Sequence, residues 1–144
     1  MADSPTSAPL SRGRRLAGAA GLVVTAGLAL APWATADPSP EFPSDERGFV
    51  GTAAYCQGAA EAEAFGRTKD ALVAICSGPD GQLQYRGVRL EDDAALMLDA
   101  AAAGAGGFSA ENEDVVYWVT ATELVVTSGD TTLHRQPMIE YRAP

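Results

Sequence analysis

The sequence predicts a mainly β fold: one small antiparallel β-sheet domain, a meander, a sandwich or a partly open barrel, behind an N-terminal signal helix. Three observations point there. Short runs rich in Val, Ile, Leu, Tyr and Thr recur about every 8–12 residues. Gly, Pro, Asn or Asp turn signals bound them. Each of the clearest runs is also too short for a stable isolated helix, which needs roughly 12–15 residues.

The chain opens with a polar leader, Met1–Arg15, ending in Arg14-Arg15. Leu16–Ala31 is apolar and uncharged, Pro32 ends any helix, and Ala34-Thr35-Ala36 supplies small residues at alternate positions. A basic start, a short apolar stretch and an A-x-A site define a cleavable secretory signal, cut between Ala36 and Asp37. The alternative is a retained membrane anchor, because Leu16–Ala36 is 21 residues without a charge; about 20 apolar residues cross a bilayer. The Ala/Gly content and Pro32 favour cleavage. Arg14-Arg15 lacks the surroundings of a twin-arginine signal, and no Cys follows the apolar stretch to carry lipid.

Residues 37–47 (DPSPEFPSDER) are Pro-rich and acidic, the composition of a solvated linker. The disulfide-containing β domain is expected over residues 48–142, starting near Gly48-Phe49-Val50. Ala59–Phe65 (AAEAEAF) suits a helix by propensity and a strand by its Glu/Ala alternation, and both remain open. Ala71–Cys76 (ALVAIC) is a compact apolar run of strand length, and Pro79-Asp80-Gly81 turns it into Gln82–Leu90. In that second strand Leu83 and Tyr85 alternate, then Val88 and Leu90 change phase across Gly87, which predicts a bulge at Arg86-Gly87. Ala95–Leu98 reads as a weak strand and Asp99–Gly107 as an Ala/Gly-rich loop, with a short helix over Ala100–Ala103 as its alternative. Phe108–Ala110 and Val115–Thr120 form a hairpin, in which neighbours Tyr117 and Trp118 face opposite sides. Trp118 lies in the most apolar stretch and is expected to be a core residue of a central strand. Thr122–Thr127 and Thr131–Tyr141 complete the fold. Leu133, Ile139 and Tyr141 are expected on one side, and Pro137 requires an edge or a bulge.

Cys56 and Cys76 are the two cysteines, both beyond the signal, and an exported pair implies a disulfide. A zinc site lacks ligands, since His134 is the one histidine.

Charge and size exclude several functions. The whole chain carries 10 Lys+Arg and 19 Asp+Glu. Removing the signal leaves 7 basic and 18 acidic residues, a net charge of −11. Such a surface repels nucleic-acid phosphates and anionic membrane leaflets. The remaining 108 residues are too few for a protein kinase, a dinucleotide-binding oxidoreductase or a (β/α)₈ enzyme.

Candidate chemistry is sparse. His134 stands in an alternating, solvent-facing strand with no evident nucleophile or orienting acid. No G-x-S-x-G elbow or S-x-x-K occurs. Glu91-Asp92-Asp93 and Glu111-Asn112-Glu113-Asp114 lack calcium-loop spacing and read as solvated turns. Arg86 and Arg89 are candidates for recognising a carboxylate or phosphate, weighed against ordinary ion pairs with nearby acids. Tyr117 and Trp118 are candidates for stacking on a sugar or an apolar ligand. No catalytic residue, metal or cofactor is implied.

The pieces Gly48-Phe49-Val50-Gly51-Thr52, Phe65-Gly66-Arg67-Thr68, Leu72–Cys76, Tyr85–Leu90 and Gln136–Arg142 resemble a family of small exported mycobacterial proteins of unknown function. The resemblance implies an exported β domain with a Cys56–Cys76 bridge and brings no catalytic residues. Similar chains sometimes carry a protein-kinase label, but this one has no G-x-G-x-x-G, H-R-D or D-F-G motif. The expected function is a secreted or cell-envelope, non-enzymatic binding or interaction module for an unidentified envelope or extracellular ligand. The alternatives are a small envelope hydrolase using acidic residues and a membrane-anchored extracytoplasmic sensor.

Overall fold

The computed structural model describes residues 41–144; the expected signal segment and the expected cleavage position at Ala36-Asp37 lie outside the described residues. Two short strands, β1 (Ser44–Asp45) and β2 (Gly48–Phe49), pair as a small hairpin. Nine more strands follow: β3 (Glu61–Arg67), β4 (Ala71–Ser77), β5 (Leu83–Arg89), β6 (Ala94–Ala102), β7 (Phe108–Asn112), β8 (Val115–Val119), β9 (Glu123–Ser128), β10 (Thr131–Pro137) and β11 (Glu140–Arg142). They form one antiparallel sheet in the order β10-β9-β8-β7-β6-β5-β4-β3-β11.

That order is an up-and-down meander with its last strand divided. β10 pairs with β9 at one edge, and β11, two residues later in the chain, pairs with β3 at the other. Met138 N–H donates to the Thr122 carbonyl (2.9 Å) and Ile139 N–H to the Arg67 carbonyl (2.8 Å), so this link touches both edges. The sheet is thereby curled into a half-barrel. Gly66 lets β11 approach: a Cβ there would stand 2.7 Å from the Glu140 carbonyl oxygen.

β4 is buried on both faces, which is why ALVAIC reads as an unbroken apolar run. Leu72, Ala74 and Cys76 point to the convex side, where Phe49, Ala54, Cys56, Phe65 and Val88 complete a first core cluster. Phe49 is fully buried, edge-on to Phe65 (5.5 Å) and to Phe42 (6.4 Å). The Cys56–Cys76 disulfide ties this N-terminal cap to β4. Val73 and Ile75 point to the concave side and join Tyr85, Ala110, Val119, Leu124 and Val126 in a second cluster.

Several expectations change. Ala59–Phe65 resolves as strand: Ala62 and Ala64 are buried and Glu61 and Glu63 exposed, the alternation that a half-covered sheet selects over helix propensity. No bulge occurs at Arg86-Gly87, because β5 keeps continuous register with both neighbours. The apolar phase changes there because cover changes: Val88 packs under the N-terminal cap, whereas Leu83 and Tyr85 face the concave core. Bulges lie instead at Glu63 and Leu133. The first four residues of Asp99–Gly107 are strand and not loop, since Ala94–Ala102 forms a nine-residue strand paired along β5 and then β7; the remainder is a connection with a 3₁₀ turn at Gly104–Gly106. Leu96 and Leu98 pack into the concave core, and this tertiary pairing outweighs the Ala run's helix preference. Order also begins before Gly48, with Phe42 packed on the core and Ser44–Asp45 paired. Trp118 is not a core residue: it is 41% exposed on the convex face, while its neighbour Tyr117 turns inward. Leu133 and Ile139 are likewise exposed, and Tyr141 alone of that trio packs on the concave core.

Candidate functional site: the concave cup

The strand registers bring inward-facing residues into rows across the half-barrel. Leu98, Tyr85 and Ile75 form one row, and Leu96, Gly87 and Val73 the next. Across the cup, Ala110, Tyr117, Val126 and His134 align, as do Phe108, Val119, Leu124 and Gln136. Part of these rows, namely Tyr85, Gly87, Leu96, Tyr117, Leu124, Val126, His134 and Gln136, lines an open concavity of about 890 Å³. Its wall includes Tyr85, Tyr117, Leu96, Leu124 and Val126, and its exposed lining includes Asp70, Arg89, Glu91 and His134.

Gly87 makes room for the main aromatic of the wall. A Cβ at Gly87 would sit 2.8 Å from both Cε1 and the hydroxyl of Tyr85, whose ring lies across the glycine. Tyr85 is 3% exposed, and its ring centroid is 5.2 Å from that of Tyr117 at a 38° tilt. Burial, with a smaller contribution from Tyr117, pushes the Tyr85 phenol well above the ordinary tyrosine value, so it stays protonated. Nearby, Thr68 is fully buried; its hydroxyl donates to Gln136 Oε1 and accepts from the Asp70 and Ala71 amides.

The structure separates the residues paired in the sequence reading. Arg86 lies on the convex side, donating to Gln84 Oε1 (2.9 Å) and the Ala53 carbonyl (3.4 Å). Arg89 reaches the cavity rim, where Nε and an Nη hold the two Asp92 carboxylate oxygens at 2.8 and 2.7 Å. That fork, aided by the Ala94 amide, holds the Asp92 carboxyl down at about 2. Arg86 and Arg89 therefore do not form one anion site. Tyr117 and Trp118 are likewise split between the two faces, and Trp118 Nε1 donates to Thr127 Oγ1 (3.4 Å). His134 is exposed, as expected of a strand histidine, but lines the concave cup.

Tyr85, Gln136 and the leucines of β6 were missed as site residues. The Tyr85-x-Gly87 spacing was the usable signal, because residues two apart share a face and the glycine leaves space beside the ring. Among the described residues, no group of three or more His, Cys, Asp or Glu is placed to hold a metal, and no helix is long and apolar enough to cross a membrane. Comparison with protein-family models, curated proteins and solved structures returned no match.

Proposed function

We propose that this protein is an exported, non-enzymatic binding module of the cell envelope or extracellular space, and that the half-barrel cup is its ligand site. The single observation carrying this is the 890 Å³ concavity walled by aromatic and aliphatic side chains. A concave, mainly apolar cavity with a few polar groups is the usual form of a small-molecule site. Small barrels hold one such ligand in their interior. The disulfide is consistent with an oxidising compartment, as is the resemblance to small exported mycobacterial proteins. The acidic surface argues against nucleic acid as a partner.

Fluorescence titration with the neutral probe N-phenyl-1-naphthylamine tests the proposal. Saturable one-to-one binding is expected, weakened at least tenfold by Leu96→Trp, which fills the cup from β6. Absence of saturable binding, or a Leu96→Trp variant that binds as well as the parent, would remove the cup as the site.

A further inference from the structure

We infer that the cup is built for a neutral, largely apolar molecule that presents an oxygen acceptor, such as a carbonyl, to the Tyr85 hydroxyl. This rests on the cup being the ligand site, as proposed above. Tyr85 is 97% buried, yet its hydroxyl has no hydrogen-bond partner among the described residues. It is also not sealed in protein, because no fully enclosed side-chain oxygen or nitrogen among them lacks a partner. The hydroxyl therefore opens onto the cavity that its ring helps to wall. Remaining protonated, it carries a donor throughout the physiological range.

Gln136 adds a second donor. Its amide oxygen takes the single hydroxyl proton of Thr68, whose oxygen is already an acceptor for two backbone amides. The amide NH₂ is left as the free end of a side chain that lines the cup. Both of these polar groups thus offer hydrogen-bond donors to an occupant.

Charge decides between a neutral and an anionic occupant. Of the described residues, Arg89 is the one Arg or Lys lining the cavity; it is exposed and paired with Asp92. Asp70 and Glu91 line the same exposed part. A carboxylate entering the cup would surrender hydration with no buried cation to replace it. A pure hydrocarbon would cover the Tyr85 hydroxyl and leave it unpaired. A neutral molecule with an acceptor avoids both penalties.

Three probes of one ring system separate these cases: 1-ethylpyrene, 1-acetylpyrene and 1-pyrenecarboxylate. The unmodified protein should bind the ketone about five- to tenfold more tightly than the hydrocarbon, the range of one net hydrogen bond. The carboxylate should bind most weakly. Tyr85→Phe should reduce the ketone's advantage to about twofold or less, with the hydrocarbon binding at least as tightly as before because no hydroxyl is left unpaired beneath it. The hydrocarbon also reports whether the variant keeps its cup; if it does not, the ranking of the three probes on the unmodified protein still decides. Tightest binding by the carboxylate, no preference for the ketone, or an equal loss of ketone and hydrocarbon in Tyr85→Phe would each overturn the inference. Failure of all three probes to saturate would instead overturn the cup as the ligand site.

Discussion

At the scale of single residues, the two faces of the sheet give neighbouring side chains opposite fates. Trp118 covers the convex surface and keeps 41% of its area in water. Trp118→Ala should therefore cost about 1–2 kcal/mol, below the ~3–5 kcal/mol of a fully buried aromatic. Urea unfolding would check this. Gly87→Ala should be the more damaging change, costing about 1–3 kcal/mol as the new methyl displaces the Tyr85 ring. Two titrations follow from the local environments. Asp92 is depressed to about 2, so its stabilising contact with Arg89 is present above the ordinary carboxylate range and is lost as pH falls through about 2. An NMR titration should show that midpoint, rising toward the ordinary carboxylate range in Arg89→Met, where the Ala94 amide still lowers it. Tyr85 shifts the opposite way. Its contribution is intact below about pH 10, where the unfolded phenol ionises, and is lost at higher pH. Tyr85→Phe should accordingly show a shallower alkaline loss of stability. The sequence revealed that Tyr117 and Trp118 face apart, but not which faces inward, because β8 has Val115, Val116 and Val119 on both parities.

At the scale of elements, strands bounded by turn chemistry were the most legible. Ala71–Cys76, the Pro79-Asp80-Gly81 turn and the strand after it match β4 and β5 within a residue or two. The alanine-rich strand β6 was less so. Its identity depends on pairing with β5 and β7, which local propensity does not encode. The phase change at Gly87 carried real information, but it reported a change of cover rather than a bulge. The N-terminal cap that supplies this cover is held by Cys56–Cys76, buried against β4. Closing a loop of that length should stabilise the fold by roughly 3 kcal/mol, so Cys56→Ser should lower unfolding free energy by about 2–5 kcal/mol. Alkylation of the native, unreduced protein should label neither cysteine.

At the scale of the whole molecule, the antiparallel β class was readable from the recurrence of short strands, whereas the curl into a half-barrel was not. Closure depends on Pro137, Met138 and Ile139 carrying the last strand from β9 across to β3, a long-range event that no local pattern announces. The cup inherits that difficulty. Its wall draws on every strand from β4 to β10, and its residues become neighbours only once the sheet curls. Export is testable separately: protein recovered from culture supernatant should have the intact mass of a chain beginning at Asp37, and recovery only in membranes at full length would favour a retained anchor. Side-chain chemical-shift mapping during titration with 1-acetylpyrene distinguishes the two faces of the sheet, because side chains and not backbone amides alternate between them. Ligand in the cup should saturably shift the Leu96, Leu124 and Val126 methyls and the Tyr117 ring, with the Trp118 indole and the Val125 methyls on the convex side unmoved; saturable shifts centred on Trp118, with the cup side chains unmoved, would mean that the convex face binds instead.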